Sequence, residues 1–294
     1  MILTFVGFGE LTASWAGALG RRADVEVRVY ARPRADRAGD RERSAHAEAA
    51  GLGLRGDLAG AIAGAGVVLA CVPSHAAAAV ADACIAHLAE GALYVDPAPA
   101  DPAVKRALAA RMQERGIDYV DAALLGTVVA SGLELPTTVS GPGAARWAQI
   151  GAGLGMRITP IEGDAGRATA IKLVRSVYMK GRDALVLEML VAARRHGIER
   201  EVIRSIAGPG EGVPFEALAD RVMGALTVHA GRRADELGAS ARELDAVGVE
   251  PIVTRAAERR LRWMAALELG AGERDDDAAR VLDAIDTRTR SNET

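Results

Sequence analysis

Residues 1–34, MILTFVGFGELTASWAGALGRRADVEVRVYARPR, carry the reading that decides the fold. Residues 2–6 (ILTFV) are an apolar run of strand length. A segment with apolar residues at helical spacing follows from about Glu10 to Arg21, and Gly7 and Gly9 stand between the two. Strand, glycine turn, helix is the setting in which a Gly-x-Gly loop holds a dinucleotide pyrophosphate. One glycine permits the tight turn, the next lets the backbone approach the phosphates, and the phosphates sit on the helix N-terminus. Thr12 stands where the fingerprint has its third glycine, so the match is partial. Gly7, Phe8, Gly9, Glu10, Leu11 and Thr12 are the first cofactor-binding candidates. The next strand-like run, VEVRVY, ends at Tyr30, where enzymes that use NAD commonly carry an acid for the ribose hydroxyls. This chain continues YARPRADR instead. Arg32 and Arg34 would attract a 2′-phosphate through their planar forks of donors, and Arg34 also suits ordinary loop charge. NADP(H) is therefore the expected cofactor.

Outward from this stretch, apolar runs of strand length keep alternating with helical patterns. VEVRVY is followed by a polar loop, VVLACV by SHAAAAVADACIAHLA, and ALYVD by DPAVKRALAARMQERG; IDYVD, PTTVSG, PGAARWAQIGAGL and MRITPIE complete the series. Alternation of this kind predicts an α/β fold with a doubly wound, mostly parallel Rossmann sheet. Val72, Pro73 and Ala98, at or just after two of these runs, join the cofactor-binding set. After Gly163 the strand patterns stop. Residues 165–197 hold apolar residues at helical spacing for about thirty residues, a helix of roughly 45 Å. The remainder is helical in pattern, broken at AGPGEGVP, VGVEP and GAGERDDD, and the terminal TRTRSNET reads as frayed. The expected organisation is a cofactor domain over 1–162 and an all-α domain over 163–294, with a long interdomain helix.

Composition narrows the function classes. The 294 residues are 50% hydrophobic and 26% charged, with a net charge of −3 and 3% aromatics. This balance offers neither the basic excess nor the stacking surface that nucleic-acid binding uses. Cys71 and Cys84 lie in Ala-rich surroundings and read as small apolar residues of a reducing compartment, not as metal ligands. No run of about 18 apolar residues and no signal-like start occurs, so a cytoplasmic protein without a membrane partner is expected.

Of the 36 basic residues only Lys105, Lys172 and Lys180 are lysines. A lysine retained in an arginine-rich chain suggests a role that needs a proton to leave. Lys105 reads as part of a solvated helix face. Lys172 and Lys180 share the long helix with Ser176 midway, all on one face at 100° per residue, with Arg175 beside them. Burial amid ATAIKLV would lower the pKa of Lys172 towards the range of a general acid/base.

These motifs, in order along nearly the whole chain, resemble the β-hydroxyacid dehydrogenase superfamily, which includes 3-hydroxyisobutyrate and 6-phosphogluconate dehydrogenases. FVGFGELTASWAGAL resembles its N-terminal fingerprint, and YARP resembles the Asn-Arg-Ser/Thr pattern of its NADP users. YVDPAPADPAVKRALA resembles the stretch after its fifth strand, and GRATAIKLVRS the start of its catalytic-lysine helix. KLVRSVYMKG and HAGRRADEL are most similar to its 6-phosphogluconate-dehydrogenase-like branch. The resemblance implies that Lys172 handles the proton of a substrate hydroxyl while hydride moves to or from the nicotinamide. There are departures. The substrate loop Asp-Ala-Pro-Val-Ser-Gly-Gly is DAALLGT here, so Leu125 replaces a serine beside Gly126. Ser176 replaces an asparagine, and Asp235 replaces a later lysine. Arg175, Lys180, His229, Arg232 and Arg233 are candidates for the lost substrate contacts; His229 and Arg233, four apart, project from one face of a helix.

The reading that follows is an NADPH-dependent oxidoreductase for a small anionic hydroxy acid or its carbonyl counterpart. An imine reductase and a catalytically silent NADP-binding redox sensor are the alternatives. The long helix is apolar on several sides, at Leu185, Val186, Leu187, Met189, Leu190 and Val191. Its cover is expected to come from a homodimer through the helical domain, with residues of HAGRRADEL crossing to the partner.

Overall fold

The computed structural model describes residues 1–33, 37–206, 214–269 and 277–291. The chain divides into two compact units, Met1–Ser176 and Val177–Thr294. The first unit is built on an eight-stranded sheet: β1 (Ile2–Val6), β2 (Glu26–Tyr30), β3 (Leu54–Arg55), β4 (Val67–Ala70), β5 (Leu93–Asp96), β6 (Asp118–Leu124), β7 (Thr137–Ser140) and β8 (Ile158–Pro160). The strand order is β3-β2-β1-β4-β5-β6-β7-β8, and every pairing is parallel except β6 with β7. Helices α1 (Glu10–Leu19), α2 (Arg37–Ala49), α3 (Leu58–Ile62), α4 (Ala77–Ile85), α5 (Pro102–Gln113), α6 (Val128–Ser131) and α7 (Ala144–Gly153) connect the strands.

The central strands are continuous apolar runs because helices cover both faces of a parallel sheet. All of β4 and β5 is buried. One core gathers Leu3, Phe5, Trp15, Leu69, Val95 and Trp147; another gathers Val6, Val68, Tyr94, Met112 and Tyr119. Each large side chain buried in this way contributes about 1.5–3 kcal/mol. Trp15 also satisfies its polar handle, donating Nε1–H to the Gly132 carbonyl at 2.8 Å.

The second unit is helical among its described residues. Helix α8 (Arg167–His196) runs into it from the first, followed by α9 (Glu199–Ile206), α10 (Phe215–Ala246), α11 (Ile252–Ala266) and α12 (Ala278–Ser291). No proline interrupts α8, which ends at Gly197 in the left-handed region (φ 70°), with three basic residues in its last turn. Helix α10 lays a stripe of small residues, Ala230, Ala234, Gly238 and Ala241, in the interior, and packs against α11 and α12. The core is small: Ala230, Met264, Leu267 and Val281. No described helix is long and apolar enough to cross a membrane.

Several expectations are corrected. Residues 37–49 form α2, not a polar loop; RAGDRERSAHAEA has no broad apolar stripe, but Arg, Ala and Glu are good helix formers and Ala47 is buried. The two-residue β3 is too short to leave a periodic trace. Residues 287–291 continue α12 instead of fraying, and 292–294 lie outside the described residues. The division between the units falls inside α8, not at Glu162, because the first turn of α8 is bonded to the sheet.

Candidate active site

The strand order reverses between β1 and β4, and open α/β sheets bind ligands outside the carboxyl ends of strands at such a point. Two cavities lie there. One, of about 200 Å³, is lined by Gly9, Glu10, Leu11, Thr12, Cys71, Val72, Pro97 and Ala98. The other, of about 410 Å³, includes Gly7, Tyr30, Arg32, Val72, Pro73 and His75 in its lining.

The two glycines of the loop do different work. Gly7 has φ 100°, and a Cβ there would meet the Cys71 carbonyl at 2.3 Å; the fold itself requires glycine. Gly9 is extended, and a Cβ there would meet nothing within 4 Å. Its bareness leaves room for something that approaches from outside. Helix α1 has no side-chain cap, whereas α3 and α5 are capped by Asp57 and Asp101. The first N–H groups of α1 are thus left for an external acceptor, and an anion at that end also suits the helix dipole. Thr12 is buried and donates its hydroxyl to the Gly7 carbonyl at 2.9 Å, tying the loop where the fingerprint's third glycine would stand. Burial pushes the Cys71 thiol up to about 12, although the Thr12 hydroxyl opposes this, so a neutral thiol faces the cavity. Phe8 packs edge-on against His46, at 5.6 Å between centroids. A dinucleotide fits these residues: open donors, a bare Gly9 and two adjoining cavities. Arg32 is exposed, and its carbonyl accepts from Arg43 Nη1 at 2.8 Å. Arg34 lies outside the described residues.

Next along the same edge of the sheet, Lys105 is fully buried; the expectation of a solvated face is wrong. Lys105, Leu108, Ala109 and Met112 form the buried stripe of α5, so the lysine occupies a core position at helical spacing. Its Nζ donates to the Asp96 carbonyl at 2.7 Å, and lies 2.9 Å from Asp121 Oδ1 and 3.6 Å from Asp96 Oδ2. Tyr119 donates its hydroxyl to Asp96 Oδ2 at 2.5 Å. Asp121 accepts at Oδ2 from the Gly166 and Thr169 amides, both at 2.9 Å, and at Oδ1 from the Thr169 hydroxyl at 2.5 Å. Ser140 donates to Asp121 Oδ2 at 3.2 Å and accepts from the Ala168 amide at 3.0 Å. Burial pushes the Asp121 carboxyl up, but the Lys105 ammonium and the Thr169 bonds outweigh it and hold the group below the usual carboxylate range. Lys172, half-buried, follows three residues after Thr169 on α8.

Residues 3–148 match the family described as the NAD binding domain of 6-phosphogluconate dehydrogenase, and residues 193–264 match a domain of unknown function designated DUF1932. The match over the first half of the chain agrees with the resemblance read from the sequence to the β-hydroxyacid dehydrogenase superfamily. A conserved hypothetical protein from Sinorhizobium meliloti 1021 is 28% identical, with 98% of this chain and 96% of that chain covered and a TM-score of 0.60. A second conserved protein, whose structure reveals similarity with 3-hydroxyacid dehydrogenases, is 26% identical over 90% of this chain and 98% of its own, with a TM-score of 0.59. An imine reductase from Myxococcus stipitatus, solved with NADP+, shares the fold at a TM-score of 0.75 and 19% identity, over 97% of this chain and 100% of that chain. Residues 3–148 are therefore similar to a nicotinamide-dinucleotide-binding domain.

For the superfamily's substrate residues, the structure separates the candidates by unit. Leu125 and Gly126 follow β6; the Leu125 amide donates to the Pro136 carbonyl at 2.8 Å, and a Cβ on Gly126 would meet Leu135 at 2.9 Å. Arg175 is exposed, and Ser176 turns its hydroxyl back to the Lys172 carbonyl at 2.8 Å. Lys180, His229, Arg232 and Arg233 belong to the second unit. There His229 and Arg233 are half-buried on α10, while Arg232 is exposed and pairs with Glu236 at 2.7 Å. Sequence reasoning missed Lys105, Cys71, Tyr30 and His75. Only Lys105 left a signal, its place in the apolar stripe of α5.

Proposed function

We propose that the protein is an NADPH-dependent oxidoreductase that interconverts a small anionic hydroxy acid and its carbonyl counterpart, with Lys172 moving the proton. The observation that carries this reading is a juxtaposition within the first unit. The cavities at the carboxyl ends of β1 and β4, and the start of α8 just before Lys172, held by Asp121 of β6 and Ser140 of β7, belong to the same sheet.

The first amides of α1 and the bare Gly9 would hold the pyrophosphate, and Arg32 the 2′-phosphate. Among the described residues no carboxylate lines the Arg32 cavity to oppose that phosphate. Bound there, the dinucleotide gives or takes the hydride. Lys172 takes the proton from the substrate hydroxyl as its carbon is oxidised, and returns it to the carbonyl oxygen in the reverse direction. Arg175, one turn on, offers a fixed cation to the substrate's anionic group. A second reading, reduction of a C=N bond, draws support from Leu125, which removes the hydroxyl that the superfamily's substrate loop carries. The assembly that suits the chain is a homodimer. In one chain, Leu185, Val186, Leu187 and Val191 of α8 stay between 39% and 66% exposed, a large apolar surface for one helix.

NADPH consumption with pools of carbonyl and imine compounds tests the reading and separates its branches; a chain inert to both pools is the silent sensor. Lys172→Ala should lose roughly 10²–10⁴-fold in turnover with NADPH affinity kept, and Lys172→Arg should not restore it. An active Lys172→Arg variant overturns proton transfer. Arg32→Ala should weaken NADPH by about 1.5–3 kcal/mol and leave NADH unchanged. Equal wild-type affinity for the two dinucleotides overturns the NADP assignment.

A further inference from the structure

The Lys105 cluster does something that a packed core does not require. Replacing a buried ion pair by apolar residues of similar volume is often neutral or stabilising, so stability alone does not explain two buried carboxylates and one ammonium. Its geometry points at one object. Gly166, Ala168 and Thr169 all donate their amides to Asp121 or Ser140, which lie on β6 and β7. These are orphan donors at the start of α8, and two caps, Ser140 at 28 residues and Asp121 at 45 and 48 residues away in sequence, satisfy them. The start of α8 is thus referenced to the sheet, in addition to the bond from the Arg167 amide to the Asp164 carbonyl of its own preceding loop at 3.2 Å. Gly166 adds a second reference: a Cβ there would meet the Pro102 carbonyl, at the head of α5, at 2.6 Å.

Lys105 in turn fixes Asp121. An ammonium has three donors around one point, and here it meets three oxygens between 2.7 and 3.6 Å. The flat fork of an arginine would not fit that convergence, which accounts for a lysine here in a chain that elsewhere prefers arginine. Thr169 receives the constraint, and Lys172 follows it on the same helix face at i, i+3. A slip of α8 by one residue would move Lys172 by about 1.5 Å and turn it by 100°. Misplacement of about 1 Å can cost roughly 10²-fold in rate.

We propose that Lys105 is a positioning residue: through Asp121 and Thr169 it sets the axial and rotational place of Lys172. The proposal rests on the reading of Lys172 as the proton carrier, but its test does not use turnover. The chain has only three lysines, so ¹³C reductive methylation of the full-length protein yields a spectrum that Lys172→Ala assigns. The readout is the titration midpoint of Lys172 in wild type, Thr169→Val, Thr169→Ser and Lys105→Met, with exposed Lys180 as the internal control.

We expect Thr169→Val and Lys105→Met to shift the Lys172 midpoint by roughly 0.5 pH unit or more, a change in its surroundings. Lys180 should hold, and Thr169→Ser, which restores the hydroxyl, should return the wild-type curve. A merely structural role would lower the melting temperature and leave the native Lys172 curve in place; that result overturns the proposal. If Lys105→Met does not fold, the Thr169→Val and Thr169→Ser pair decides. A Lys172→Ala enzyme with full turnover would instead sink the proton-carrier reading, whatever the titration shows.

Discussion

The two units use the same device, a carboxylate from elsewhere that caps a helix start, in opposite surroundings. In the first, Asp121 caps α8 from inside a dry core, fully buried beside Lys105. In the second, Glu188 caps α11 from a half-buried position; it accepts from the Val253 amide at 2.8 Å, the Thr254 amide at 3.0 Å and the Thr254 hydroxyl at 2.7 Å. These partners are uncharged, and the half-buried Glu188 carboxylate keeps contact with solvent. The difference follows from how much core each unit has. A sheet covered on both faces encloses its polar groups, so each must be satisfied in place. The described helices of the second unit share a small core and leave large apolar side chains such as Leu187 and Val228 in contact with solvent.

The sharpest way to break this comparison is to remove each cap. Asp121→Ala strands Lys105, the Gly166 and Thr169 amides and the Thr169 hydroxyl in the interior, and breaking a buried pair in this way costs about 3–5 kcal/mol. Asp96, 3.6 Å away, keeps some compensation and favours the lower end. Urea unfolding followed on the first unit should show the loss; a change below 1 kcal/mol would mean that the cluster is not a closed network.

Within the first unit, Gly7 and Gly9 sharpen the contrast between groups the fold closes and groups it leaves open. Gly7→Ala meets both the left-handed backbone and the Cys71 carbonyl, and should destabilise by about 1–3 kcal/mol. Gly9→Ala should leave the melting temperature unchanged and weaken NADPH binding, read by titration of the cofactor. If both variants melt like wild type, the division of labour is wrong.

The smallest effect is expected at Glu188, where Glu188→Ala removes a half-solvated cap worth about 1 kcal/mol. Acid provides the matching test. Burial pushes both carboxyls up, yet their partners hold both below the usual range: Lys105 and Thr169 for Asp121, Thr254 and Val253 for Glu188. A depressed carboxyl stabilises the fold above its unfolded value, about 3.9 for Asp and 4.3 for Glu, and that stability is lost as the pH falls further. Asp121→Asn should therefore flatten the acid limb of the stability curve below about pH 4 more than Glu188→Gln does. Equal slopes would erase the distinction between the two caps.

Much of this was legible in residues alone. The glycine turn at Gly7, the alternation of apolar runs with helical patterns, and the break at 247–251 are local, and turn chemistry and periodicity act over a few residues, while the breaks expected at 207–214 and 270–277 fall almost wholly outside the described residues. The uninterrupted α8 follows from thirty residues at helical spacing without proline. What only the tertiary structure decided concerns partners far apart in the chain. Lys105 looks solvated beside Arg106, and its place in the stripe with Leu108 and Met112 carries no hint of Asp96 or Asp121 until β5 and β6 bring them together. The cap of α8 lies on another strand, so no local signal marks it. The same holds for the work of Gly9, whose bareness became informative only when the space around it was seen to be open. Backbone preference is a property of neighbours in sequence, whereas burial and charge compensation belong to neighbours in space, which the chain acquires only on folding.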